Sequence, residues 1–111
     1  MTDTNDIHWA AGVMATMGSF LIVNTSGTAP AAVRYVARTS KNPEALTRLA
    51  SIAGVNVTSA KQGDKIATQV VLQGSTLHRF MTMVWDHLTI ERKREYAKAR
   101  LEVKGRVNAN A

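Results

Sequence analysis

The sequence predicts an α+β domain in which four antiparallel strands form one sheet and helices cover one of its faces. Three observations carry this reading. Two pairs of short runs rich in β-branched residues are each joined by turn-forming residues; apolar residues at helical spacing fall between and after those pairs; and the order along the chain is helix, hairpin, helix, hairpin, helix, helix. A sheet built this way buries one face under helices and leaves the other to water or a ligand. The 111 residues suffice for one core, covering roughly two thirds of the unfolded surface, and not for two. A single domain, 1–111, is therefore expected, its core at about 6–103 and its two tails polar.

Asn5 or Asp6 can cap a first helix, on which Trp9, Val13 and Met17 recur at four-residue spacing beside a stripe of small residues, Ala11, Ala15 and Gly18. Gly18 stops it, and Ser19 to Thr25 has the composition of a strand. Ser26 to Pro30 is a turn, and a second strand follows from about Ala32 to Thr39. Asn42 as N-cap, Pro43 in the first helical position and Glu44 in the first turn open a helix whose face is Leu46, Leu49, Ala50 and Ala53, stopped by Gly54. Val55 to Lys61 and Lys65 to Leu72 form a second hairpin around Gln62, Gly63 and Asp64. Ser75 can cap a helix with Leu77, Phe80, Met81 and Val84 on one face. A last helix starts near Thr89 and runs to about Val103, with a frayed tail beyond Gly105.

Composition narrows the function. With no cysteine, the chain can form no disulfide, thiol nucleophile or zinc-thiolate site. No apolar run approaches the ~20 residues of a membrane span, and the start of the chain is polar and acidic, so a cytoplasmic protein without membrane contact is expected. Fourteen Lys and Arg against eight Asp and Glu give a net charge of +6 and a pI of about 10.2, a balance suited to phosphates or another anionic surface. Much of the excess lies between Glu91 and Arg106, where on a helix it makes a solvated face. His8, His78 and His87 have no neighbours at metal-binding spacing, and structural or surface roles are expected for them. Trp9, Trp85 and the methionines Met14, Met17, Met81 and Met83 are expected to pack rather than to stack on bases.

Three stretches together resemble the LAGLIDADG homing endonuclease family, in order and spacing from about Trp9 to Leu101. Residues 9–20, WAAGVMATMGSF, are similar to its signature helix and the Gly-Ser-Phe that enters a strand. Asn42-Pro43-Glu44-Ala45-Leu46, with Leu49-Ala50 and Gly54-Val55, resembles its Asp-Pro-Glu-Leu-Leu helix and Leu-Gly-Val exit. Leu77-His78-Arg79-Phe80, Trp85, Leu88 and Arg92-Lys93-Arg94 resemble its closing segment. The resemblance implies an αββαββα fold with a saddle-shaped sheet that straddles double-stranded DNA. It also implies a homodimer packed through two signature helices, for which Ala11, Met14, Ala15 and Gly18 are the candidate interface residues.

The chain departs from the family where the family cuts. There, a carboxylate at the end of each signature helix holds a divalent metal, because hard cations need oxygen ligands. The two acidic places of the motif hold Ala15 and Met17 here, and the basic residue at the start of the last helix falls on Glu91. Asp3 and Asp6 lie at the opposite end of the first helix. No metal, cofactor or catalytic residue is therefore expected. Arg34, Arg38, Lys41, Lys61, Lys65, Gln69 and Gln73 are the candidate DNA contacts, although Val33, Tyr35 and Val36 leave the facing of the second strand open. The expected function is that of a non-cleaving DNA-binding homodimer, a regulator or accessory factor. The alternatives are a protein-interaction or inhibitor module that uses an apolar sheet face, and a residual nuclease.

Overall fold

A computed structural model describes residues 3–23 and 31–109. Helix α1 (Thr4–Thr16) begins slightly earlier than expected: the Asp3 carboxylate, rather than Asn5 or Asp6, caps it by accepting the Asn5 N–H at 3.0 Å. Met17 leaves the helix in an extended conformation, and Gly18, at φ +80°, turns the chain into β1 (Ser19–Val23). The expected end of that strand, Asn24 and Thr25, and the turn from Ser26 to Pro30 lie outside the described residues. Strand β2 (Ala32–Thr39) pairs antiparallel with β1.

Helix α2 (Pro43–Ala53) is built as its sequence dictates, with the Asn42 side chain accepting the Ala45 N–H at 3.4 Å and Gly54 left-handed at φ +77°. Its closure explains why the next strand does not start at Val55. The Val55 N–H reaches back to the Ala50 carbonyl at 2.9 Å and the Gly54 N–H to that of Ser51 at 3.2 Å, so the chain pairs only from Thr58 onward. Strands β3 (Thr58–Gln62) and β4 (Lys65–Gln73) flank a two-residue turn, Gly63 and Asp64, in which Gly63 takes φ +64°.

Helix α3 (Gly74–Val84) follows β4 directly. Its cap residue is Gln73, which makes no side-chain capping bond, so Ser75 is already inside the helix. A 3-10 turn, Trp85–His87, has no signal in the sequence pattern. Thr89 starts α4 (Ile90–Ala109) by accepting the Arg92 N–H at 3.3 Å. The helix outruns the expected end at Val103 because Gly105 stays helical; a glycine there costs about 1 kcal/mol in propensity but does not stop a helix unless a left-handed closure forms.

The sheet order is β1-β2-β4-β3, so β2 and β4 are the central pair. Their inward residues, Val33, Tyr35, Ala37, Val70 and Leu72, pack under Met14, Leu46, Leu49, Leu77, Phe80 and Val84. Each fully buried large side chain of this kind contributes about 1.5–3 kcal/mol of apolar transfer free energy. Helix α2 packs on β4, α3 on β2 and β4, and α4 on β1 and β2, while α1 lies against α2 and α3. The four-stranded antiparallel sheet with helices on one face is the fold class the sequence predicts. Among the described residues no helix is long and apolar enough to cross a membrane.

Candidate nucleic-acid interface

Strand alternation sets what the uncovered face carries. On β2, Val33, Tyr35 and Ala37 are buried under the helices, so Arg34, Val36 and Arg38 point the other way and the facing left open by the sequence is decided. Across the central ladder Arg34 stands opposite Gln73, Val36 opposite Val71 and Arg38 opposite Gln69. The two polar pairs are bonded alike. Arg34 Nε donates to Gln73 Oε1 at 2.8 Å, and Arg38 Nε donates to Gln69 Oε1. Gln69 Nε2 then donates to Thr58 Oγ1 at 3.3 Å, which extends the second pair onto β3.

Of the candidate contacts, Arg34, Arg38, Lys65, Gln69 and Gln73 share this face by register. Lys61 does not: it stands opposite Ile66 on the other parity, at the hairpin tip where Ile66 is 72% exposed. Lys41 lies in the connection between β2 and α2, exposed, its N–H donating to Thr39 Oγ1 at 3.2 Å. The face also has an apolar component, the pair Val36 and Val71 with Leu21 of β1, which is 46% exposed and stands opposite Arg34. Thr58 is a residue that sequence reasoning misses. Its role shows only once the register places it opposite Gln69.

At the end of α1 the helix itself offers no carboxylate to a divalent metal, and a cation of the chain itself is present. Ala15 and Met17 bring no side-chain oxygen. The backbone carbonyls there are already used: Met17 O accepts from Tyr35 Oη at 2.9 Å and from Arg92 Nη2 at 3.3 Å, and Gly18 O accepts from Arg92 Nη2 at 3.0 Å. Arg92 Nη1 meets Glu95 Oε2 at 2.9 Å, and the Arg92 side chain is only 14% exposed. The basic residue that reaches this place is thus Arg92, one position after Glu91. Burial pushes the Tyr35 hydroxyl up to about 12, partly opposed by the positive charge of Arg92. Gly18 is required here, because its φ is +80° and a Cβ would sit 2.5 Å from the Tyr35 ring. An open groove of about 850 Å³ runs alongside, between β1 and α4, lined by Ser19, Leu21, Glu91, Glu95 and Lys98 among others. Among the described residues no group of three or more His, Cys, Asp or Glu could hold a metal ion. The site does not fit the metal that the resemblance implies.

Helix α1 presents a different outer stripe from the one its spacing suggests. Ala11 and Met14 are buried in the chain's own core, and Gly18 packs on Tyr35. The outward face is Asn5, His8, Gly12 and Thr16, with Ala15 half-buried at its edge. A Cβ built on Gly12 meets nothing within 4 Å. Trp9 turns instead toward α2, where the Arg48 guanidinium lies 4.2 Å from its ring centre and pairs with Asp6 at 2.9 Å. The rings of His8 and His87 meet at a tilt of 37°, with their centres 3.9 Å apart.

No family model matches the sequence, and no curated protein matches it. Two solved structures of the homing endonuclease I-CvuI do match by shape. One is in complex with the I-CreI target in the presence of magnesium, with the DNA not cleaved; it gives a TM-score of 0.64 at 20% identity, over 92% of this chain and 68% of that one. The other, in complex with its own target in the presence of calcium, gives a TM-score of 0.64 at 19% identity with the same coverage. At this identity the likeness in shape shows a shared fold alone.

Proposed function

We propose that this chain, which has the fold of the homing endonucleases, binds double-stranded DNA as a homodimer without cleaving it, in a regulatory or accessory role. The observation that carries the proposal is the helix-free sheet face with its two cross-strand Arg–Gln pairs, in a chain of net charge +6. Positive side chains on such a face meet phosphates and base edges together. The I-CvuI neighbours are DNA complexes, which supports this use of the face.

The non-cleaving reading is supported by the end of α1, where Ala15 and Met17 stand in the acidic places of the motif and Arg92 donates to the Met17 and Gly18 carbonyls. The homodimer reading is supported by the outer stripe of α1, where Gly12 and Ala15 would allow a second helix to approach closely. A mobility-shift assay on a random duplex, with a nicking assay in magnesium run in parallel, tests both the binding and the absence of cutting. Shifted but intact DNA is expected. Nicking that a chelator stops would overturn the non-cleaving reading, and no shift at low salt would overturn the binding one. A protein-docking use of the same face has one observation in its favour, the exposed Leu21 beside Val36 and Val71, and it takes precedence if duplex DNA is not bound.

A further inference from the structure

We infer that the open face reads two guanines about four base-pair steps apart with a thymine methyl between them. The inference rests on the DNA-binding reading of that face and adds to it the bases recognised. Arg34 and Arg38 lie on the same side of β2, four residues apart. At about 3.3 Å per residue their separation is about 13 Å, close to four base-pair steps of about 3.4 Å along the duplex. The major groove exposes the base edges, and β2 and β4, the central pair between β1 and β3, present these side chains toward it from the middle of the sheet.

The bonding of each guanidinium selects how it can bind. Nε of Arg34 is committed to Gln73 Oε1 and Nε of Arg38 to Gln69 Oε1, which removes the side-on grip through Nε that a phosphate or carboxylate can use. What remains is the end-on fork of Nη1 and Nη2, two parallel donors that match O6 and N7 of guanine. Adenine offers N7 but sets an amino donor against the second N–H, so it is rejected. The glutamines hold the forks in place. Gln69 is itself fixed by its bond to Thr58 Oγ1 at 3.3 Å. Between the forks the face is apolar, with Val36 opposite Val71, and the apolar group that the major groove displays is the thymine C5 methyl.

The test is selection of the full chain on a randomised duplex pool, followed by affinity measurements on the selected duplex with single-atom changes. Selection should return paired guanines at a spacing of about four steps with thymine between. Replacing either guanine by 7-deazaguanine, which keeps O6 and removes only the N7 acceptor, should weaken binding by about 5-fold or somewhat more, the lower end of the range for a bidentate contact. Replacing the thymine by uracil should weaken it by a smaller factor. Arg38→Ala should reduce the preference for guanine at one of the two positions and leave that at the other. If the pool is bound but yields no guanine spacing, or if 7-deazaguanine has no effect, the inference fails and the DNA-binding reading stands. If no duplex is bound at low salt, both fail.

Discussion

Arg92 gives the end of α1 a charge of the opposite sign to the carboxylates that hold metal in the family the sequence resembles. A helix C-terminus favours a cation, and two charge-assisted hydrogen bonds to Met17 O and Gly18 O fix the guanidinium there. Placing one acid back is therefore expected to make an ion pair rather than a metal site. Met17→Asp should bind no calcium detectable by calorimetry, and one ion per chain with micromolar affinity would contradict this account of Arg92. Tyr35 gives the same corner a pH signature. Its folded pKa, about 12, lies above the ordinary 10, so its contribution is complete below pH 10 and is lost as pH rises from about 10 through 12. The two units correspond to about 3 kcal/mol. Urea unfolding at pH 9 and pH 11.5 should show this loss, and Tyr35→Phe should lessen it while costing about 1 kcal/mol at neutral pH through the bond to Met17 O. An unchanged alkaline slope in that variant would exclude Tyr35 as its source.

The elements differ in how far their residues announce them. Helix α2 and strand β2 are legible to their ends, because Asn42, Pro43 and Gly54 each act locally and the β2 run is bounded by turn residues. The start of β3 is not, since Val55 looks like a strand residue until its N–H is seen closing α2. The outer face of α1 is equally hard to read. Ala, Gly and Met lie all around that helix, so spacing alone does not distinguish the stripe of Ala11, Ala15 and Gly18 from the true outer one of Gly12, Ala15 and Thr16. This gives opposite expectations for neighbouring residues. Gly12→Leu should leave the fold intact, since the added side chain enters open space and glycine is a poor helix former, but it should block helix–helix approach and halve the mass seen by light scattering. Ala11→Leu should overpack the core and lower stability by about 1–3 kcal/mol. A Gly12→Leu protein of unchanged dimer mass would place the dimer interface elsewhere.

At the scale of the whole molecule, the sequence reaches the fold class and the net charge but not the pairing that makes a site. Arg34, Arg38, Gln69 and Gln73 can be named from their strands, yet only the β2–β4 register shows them as two bonded pairs, and only the β3–β4 register takes Lys61 off that face and adds Thr58. Register is a long-range property, fixed by the burial of Tyr35 and Leu72 under the helices rather than by local residues. Contact of this assembled face with phosphates is what the proposed DNA binding requires. It is tested most directly by titrating one duplex with the protein at several salt concentrations, for the unaltered chain and for Arg38→Ala and Lys65→Ala. Each neutralised phosphate releases counterions, so log affinity should fall with log salt by about 0.9 for every phosphate engaged. Lys65→Ala should lower affinity for all duplexes and flatten the slope by roughly one unit for each phosphate that its cation no longer neutralises, in both halves of the dimer, while Arg38→Ala, which removes a base contact, should lower affinity with a smaller change of slope. Binding that ignores salt and both substitutions would contradict the account.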